Sequence, residues 1–473
     1  MDNRYKKLGK NTILVFVGQA GSSLISLLML PLYTHWLSTE EYGTVDLMST
    51  YATILLSIVT CCISGAIFIF PKGASNVDKT KYFSSGFLFT LFTVVLFSVF
   101  NYFFEYIYKD VSFLKTYSWY TLLLMFSMFL QKYFQQFTRS LENMKVFAAT
   151  GVVYTIAVAL FAIALIPHFH LIGYIYSLIL ANVISALFSF FFSKSYKFLS
   201  LQISGSHLKT LLSYSIPLIP NTIMWWLVNG MNRPMMETYL GVSAIGIFAV
   251  ANKFPGIINM ISNVFSNAWG ISMLDEIEKP GFSVFFNKVF KLISVLSFFV
   301  AFVIIILSKE IIGIFASEAF LEASHVLPVL VIAAVLDASA GLVGGVFMAI
   351  KQSKFFLYSS ATGATISLIL TFFLIKQLGL IGCALAILVS FLVVFVMRVF
   401  FAWKYIKREF SILYYCLLFI VLLLAFFIEE SSVFIMYKVE VYFLLLAIIL
   451  FASKDVLAAL FSQIKNMYSR FLS

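Results

Sequence analysis

Residues 324–354 read SHVLPVLVIAAVLDASAGLVGGVFMAIKQSK, and residues 355–376 continue FFLYSSATGATISLILTFFLIK. Two long apolar runs are joined by a short gap that holds Lys351 and Lys354, and the second run closes on the single Lys376. A helix rises about 1.5 Å per residue and the hydrocarbon of a bilayer is about 30 Å thick, so about 20 such residues cross it. The stretch therefore predicts a pair of membrane-spanning helices with a basic turn on one side and a sparsely charged one on the other.

Working outward, the same unit recurs along the 473 residues. Fourteen spans are predicted, over 11–33, 44–70, 83–108, 115–137, 146–167, 171–193, 211–232, 240–268, 285–308, 324–349, 355–375, 379–402, 411–428 and 433–452. Counting lysine and arginine in alternate gaps and at the span ends beside them puts 25 of the 32 basic residues on one side, Arg398 among them, and six on the other, with Lys253 alone left deep inside a span. Basic loops are retained in the cytoplasm. The rich side is thus predicted to be cytoplasmic, with both termini inside. A missed or invented span would scramble this alternation.

Composition excludes the soluble classes. Hydrophobic residues make up 62% and charged ones 11%, against about 25% charged in a typical soluble domain. The net charge of +11 is then a topology signal and an attraction for anionic lipid, not a nucleic-acid footprint. Cys61, Cys62 and Cys383 lie within spans and Cys416 near the start of one, without the spacing of a metal site or a disulfide framework; they read as small apolar fillers. The basic N-terminus and the run from Ile13 to Tyr33 superficially match a secretory signal, but the run is too long, lacks a small-residue cleavage site and leads into further spans. The gaps are too short for an extramembrane catalytic domain, so function is expected within the helical bundle.

An offset of 203 lays Leu24, Pro31, Leu37, Gly43, Ile54 and Ile58 on Leu227, Pro234, Leu240, Gly246, Ile257 and Ile261. Six spans separate the copies, which makes the repeat parallel about an axis along the membrane normal. The expectation is an all-α integral membrane protein with two six-helix lobes around a central cavity. Residues 1–193 form the first lobe, 194–210 a cytoplasmic linker, 211–402 the second lobe, and 403–473 an accessory helix pair and tail.

Polar residues inside spans are expensive and tend to face a bundle interior or a watery cavity. In the seventh span Asn221, Trp225, Asn229 and then Asn232 or Arg233 recur at helical spacing, and Pro217 with Pro220 predicts a break near its cytoplasmic end. The eighth carries Asn252, Asn259, Asn263 and Ser266 or Asn267 on one stripe with Lys253 beside it; the first carries Gln19, Ser22 or Ser23, and Ser26. Interhelical hydrogen bonding is the plain alternative for these amides. Lys253 lies mid-span, where insertion costs about 2.5–3.5 kcal/mol, and points either to substrate binding or to a structural pair with Asp337. Arg233 either serves the cavity or snorkels outward. Asp46 and Asp337 are ion-coupling candidates, although the small neighbours of Asp337, among them Ala333, Gly341, Gly344 and Gly345, also fit tight helix packing. Cations, amides and aromatics together suit an anionic, sugar-bearing substrate: the cations neutralise phosphate, the amides meet hydroxyls and tryptophan stacks on sugar faces.

Residues 30–47, LPLYTHWLSTEEYGTVDL, resemble the N-terminal signature of bacterial polysaccharide transporters of the O-antigen flippase type. Residues 232–253, NRPMMETYLGVSAIGIFAVANK, together with Phe265, Ala268 and Trp269, carry a second resemblance to that family of the multidrug, oligosaccharidyl-lipid and polysaccharide exporter superfamily. The resemblance implies a non-enzymatic flippase in the bacterial plasma membrane. It would move a polyprenyl-pyrophosphate-linked O-antigen, capsule or exopolysaccharide repeat unit outward by alternating access. Also implied are basic roles for Arg233 and Lys253, coupling to a proton or sodium gradient rather than a bound cofactor, and as partners membrane lipids, a polysaccharide polymerase and chain-length machinery. His35 stands where an arginine is common in the family, and Asn232 where an aspartate commonly precedes the arginine, which would leave Arg233 without its adjacent countercharge. A cation-coupled multidrug antiporter of the same superfamily is the alternative, and a membrane-embedded polymerase a more distant one.

Overall fold

Backbone groups in hydrocarbon must be satisfied within their own segment, so an apolar chain of this kind resolves into helices. The computed structural model describes residues 21–107, 113–262, 273, 277, 279, 281–350, 352, 354–407, 410–431, 435–452 and 454, and its regular elements there are all helical. In chain order they are α1 (21–28), α2 (Leu30–Trp36), α3 (Thr39–Val59), α4 (Ile63–Ile69), α5 (Asn76–Ile107), α6 (Phe113–Ser140) and α7 (Met144–Phe192). After a 3-10 turn come α8 (Gly205–Ser215), α9 (Ile219–Asn229), α10 (Asn232–Leu240), α11 (Val242–Ala251) and α12 (Pro255–Ser262). The remainder is α13 (Phe282–Ile306), α14 (Ser308–Phe315), α15 (Ala323–Ala349), α16 (Lys354–Ile406), α17 (Ile412–Glu430) and α18 (Ile435–Ala452).

Among the described residues eight helices are long and apolar enough to cross a membrane, nine if the bent pair α11 and α12 is one span. The difference from fourteen arises partly because two helices each hold two predicted spans. The 49-residue α7 breaks at His170 (φ 45°, ψ −123°) and the 53-residue α16 at Gly379 (φ 56°, ψ −131°). Eight residues along an unbroken helix advance about 12 Å, yet a methyl added to Gly173 would overlap the Leu165 carbonyl, and one on Gly382 the Leu374 carbonyl. Both helices therefore fold back on themselves, with the φ and ψ of the first central residue of a type II′ turn. Residues 165–173, LIPHFHLIG, and 374–382, LIKQLGLIG, share the same five residues at the same places, a second repeat at an offset of 209.

Residues Met1–Ala249 and Val250–Ser473 form two compact units. This boundary lies later in the chain than the 194–210 linker, because α9 to α11 pack with the first unit. That unit is centred on an aromatic cluster from α5 and α6, in which Phe83 and Phe137 lie 4.4 Å apart and the Tyr133 hydroxyl donates to the Phe83 carbonyl at 2.7 Å. In the second unit α15 is largely buried, and near its end Phe347 packs in one cluster with Phe282, Phe286 and Phe290 of α13. The accessory pair is clasped to this unit by buried Glu429. It accepts from Lys309 Nζ (3.0 Å) and from the Tyr442 hydroxyl (2.7 Å). The Lys438 ammonium donates to its carbonyl at 2.8 Å.

Candidate functional site

The sequence of α9 decides which of its faces is open. Pro217 and Pro220 remove two backbone donors, and the chain answers with a 3-10 turn at Ile216–Leu218 before α9 begins, where the break was anticipated. Asn221, Trp225 and Asn229 then fall on one face and all three are exposed. The Asn229 side-chain amide donates back to the Trp225 carbonyl at 3.0 Å. A neighbouring face is held closed: Trp226 Nε1 donates to the Thr50 carbonyl of α3 at 3.1 Å.

Arg233, in the first turn of α10, is 7% exposed. Its Nε donates to Asp46 Oδ2 of α3 at 3.1 Å, and its Nη1 to Asn232 Oδ1 at 3.0 Å and to the Asn229 carbonyl. The guanidinium also lies 5.2 Å from the Phe248 ring centroid. Asn232 thus leaves Arg233 with a countercharge after all, supplied across the helix crossing by Asp46. The amide has its own cost: Asn232 Nδ2 is buried with no partner among the described residues. The crossing of α3 with α11 is very close. A methyl on Gly43 would overlap the Val242 carbonyl, one on Gly246 the Thr39 carbonyl, and Thr39 and Ser243 share a 2.6 Å hydroxyl hydrogen bond. Gly43 and Gly246 are the matched glycines of the 203-residue repeat, so the two copies meet at equivalent positions. Further along α3, the Tyr51 hydroxyl donates to Glu237 Oε2 at 3.3 Å.

Lys253 does not sit in the middle of a continuous helix. Asn252, Lys253 and Phe254 form the turn between α11 and α12, which are bent by 50°, and Pro255 opens the second helix. Asn252 and Lys253 are exposed there and Asn259 is half-buried. Gln19, Asn263, Ser266 and Asn267 lie outside the described residues.

Asp337 is only partly exposed on α15, and the cation electrostatically coupled to it is Arg398. This corrects the placing of Arg398 among the cytoplasmic loop charges: it is 1% exposed, within the second limb of α16. Its Nη1 donates to the Ala340 carbonyl at 2.9 Å, Nε to Ser359 Oγ at 3.2 Å and Nη2 to Ser360 Oγ at 3.4 Å. Its plane lies over Phe356 at 4.9 Å, and Gly344 gives it room: a methyl there would come within 2.7 Å of that ring and 3.3 Å of Nη1. The sequence carried a signal for this, because Arg398 lies inside the predicted span 379–402 and Ser359 with Ser360 sits at the matching depth of 355–375. Among the described residues no group of three or more His, Cys, Asp or Glu could hold a metal ion.

Residues 8–269 match the family model described as polysaccharide biosynthesis protein. No curated protein matches the chain. Among solved structures, "Lipid II flippase MurJ, inward closed conformation" is 16% identical and superposes with a TM-score of 0.70, covering 94% of this chain and 99% of that one. An inward-facing multidrug resistance MATE transporter of the MOP superfamily is 15% identical with a TM-score of 0.60, covering 84% and 100%. A MOP superfamily transporter from Pyrococcus furiosus, whose title reports a binding pocket of reverse polarity, is 14% identical with a TM-score of 0.53, covering 85% and 96%.

Proposed function

The chain belongs to the polysaccharide biosynthesis protein family, and from that premise we propose that it flips a polyprenyl-pyrophosphate-linked oligosaccharide across the bacterial plasma membrane by alternating access. The family match, joined to a multi-pass helical fold of the flippase and multidrug-transporter type, is the observation that carries the reading. The cargo is an O-antigen, capsule or exopolysaccharide repeat unit, loaded on the cytoplasmic side where the termini lie.

In this reading the pyrophosphate meets Lys253, a cation exposed at a helix bend, and the glycan uses the open face of Asn221, Trp225 and Asn229, with Asn252 and Asn259 as further amide partners. Gln19 has the same role in the first span. Arg233 binds phosphate by exchanging it for Asp46, which holds its Nε while Asn229 and Asn232 hold Nη1. Such an exchange joins anion binding to release of the α3–α10 contact. Asp46, freed in this step, is the stronger candidate for coupling to a proton or sodium gradient; Asp337 is electrostatically coupled to a resident guanidinium instead.

The multidrug transporters among the structural neighbours support a second reading, export of organic cations. A cationic drug calls for open carboxylates at membrane depth, whereas Asp46 faces Arg233 and Asp337 is coupled to Arg398. Reconstitution with labelled lipid-linked glycans tests the choice. Translocation should occur with wild-type protein and drop at least tenfold with normally inserted Lys253→Ala. Robust efflux of organic cations from a transporter-deficient host, independent of Lys253, would overturn the flippase reading.

A further inference from the structure

The segment joining α7 to α8 is held in an unusual way. From Leu199 to Ile203 the chain has no regular secondary structure and bends at Leu201, and its backbone is bonded to two serines that are fully buried on α5. Ser84 Oγ donates to the Phe198 carbonyl at 2.9 Å and accepts from the Ser200 amide at 2.7 Å; Ser85 Oγ accepts from the Ser204 amide at 2.8 Å. Pinned at these points, the segment turns Leu199, Leu201 and Ile203 outward, 46%, 89% and 57% exposed. Gln202 between them is exposed as well, and no described residue covers the three apolar side chains.

Three features say what does. The apolar surface is continuous with the end of α7, where Phe191, Phe192 and Tyr196 are also exposed at the edge of a predicted span. Residues 193–212 contain Lys194, Lys197 and Lys209 and no acid, while Asp78, which contacts this segment, is engaged by Ser75 (2.7 Å) and His207 (3.3 Å). Beyond this stretch an open cleft of about 570 Å³ has apolar walls from Leu208, Leu212, Ile216 and Pro217, with Lys209 as its cation. Apolar side chains rimmed by lysines match the boundary between acyl chains and anionic headgroups.

We propose that residues 194–217 form an anionic-lipid docking surface, in which Leu199, Leu201 and Ile203 enter the leaflet on the lysine-rich side while Lys194, Lys197 and Lys209 hold anionic headgroups. The serine clip on α5 fixes its depth, so the surface travels with that helix. The inference depends on the charge-derived orientation and not on the identity of the transported molecule.

The test places an environment-sensitive fluorophore at Leu201→Cys, Gln202→Cys and Ile203→Cys of the full chain, with labelled wild type as the blank for native cysteines. Protein is reconstituted in vesicles of phosphatidylcholine alone or mixed with phosphatidylglycerol. Probes at 201 and 203 should be quenched by lipid-borne nitroxide and shielded from aqueous iodide, the probe at 202 the reverse. Shielding should rise with phosphatidylglycerol, and the rise should fall about two- to fivefold for each of Lys194→Gln, Lys197→Gln and Lys209→Gln. Equal iodide access at all three positions overturns the proposal, as does shielding indifferent to both phosphatidylglycerol and the lysines. Position 203 serves alone if Leu201→Cys fails to fold.

Discussion

Arg233 and Arg398 are both buried arginines associated with an aspartate, and they are built for opposite purposes. Arg233 makes one direct ion pair, 3.1 Å to a carboxylate that is itself partly exposed, at a helix crossing with little side-chain bulk. Arg398 spreads its charge over the Ala340 carbonyl and the Ser359 and Ser360 hydroxyls, while Asp337 is coupled to it without a direct hydrogen bond. An ion pair near water can trade one anion for another. A guanidinium enclosed by neutral acceptors from α15 and the first limb of α16 has nothing to trade, and it ties the second limb to both. Arg233 is thus suited to motion and Arg398 to resisting it.

The contrast can be broken most forcefully at Arg398. Arg398→Ala should cost about 3–5 kcal/mol, because truncation leaves a buried carboxylate and polar acceptors uncompensated; thermal denaturation in detergent reads this, and a wild-type melting temperature would erase the distinction. Gly382→Ala should cost about 2 kcal/mol by forcing the new methyl against the Leu374 carbonyl, displacing the limb that carries Arg398. A double-mutant cycle on Arg233→Ala and Asp46→Ala sharpens the other half. Its coupling energy should be about 1–3 kcal/mol, with glycan translocation impaired more than stability in each single variant; additive effects would show that the pair is not a unit. The smallest effect belongs to His170→Gly. A side chain at this positive-φ turn position costs about 1–3 kcal/mol, partly offset by the greater freedom of glycine in the unfolded chain, so a gain of about 1 kcal/mol is expected. A loss would mean that the 3.4 Å contact of His170 Nδ1 with the Trp36 carbonyl matters more than the strain.

Much of the fold could be read from residue order, because span length and loop charge answer to the bilayer rather than to packing. The break before α9 was legible for the same reason: proline acts locally, whatever surrounds it. Arg398 was only faintly legible, since a basic residue four positions from the end of an apolar run also looks like an interfacial anchor. Only the neighbouring limb, with Ser359 and Ser360, reveals it as enclosed. The partner of Arg233 was hidden too. Asp46 lies far from it in sequence, and the adjacent Asn232 drew attention to a missing charge that the tertiary fold supplies from elsewhere. Lys253 was noticed for its depth, but the turn that exposes it depends on Pro255 and the bend.

The two folded-back helices carry a historical consequence. Their matched turns stand 209 residues apart, whereas the paired glycines of α3 and α11 stand 203 apart. If both similarities descend from tandem duplication of one ancestral half, the later copy has gained a net six residues relative to its twin, somewhere between Ile261 and Leu374. On that account the two copies differ in length between these landmarks while keeping the reversal that folds each long helix back.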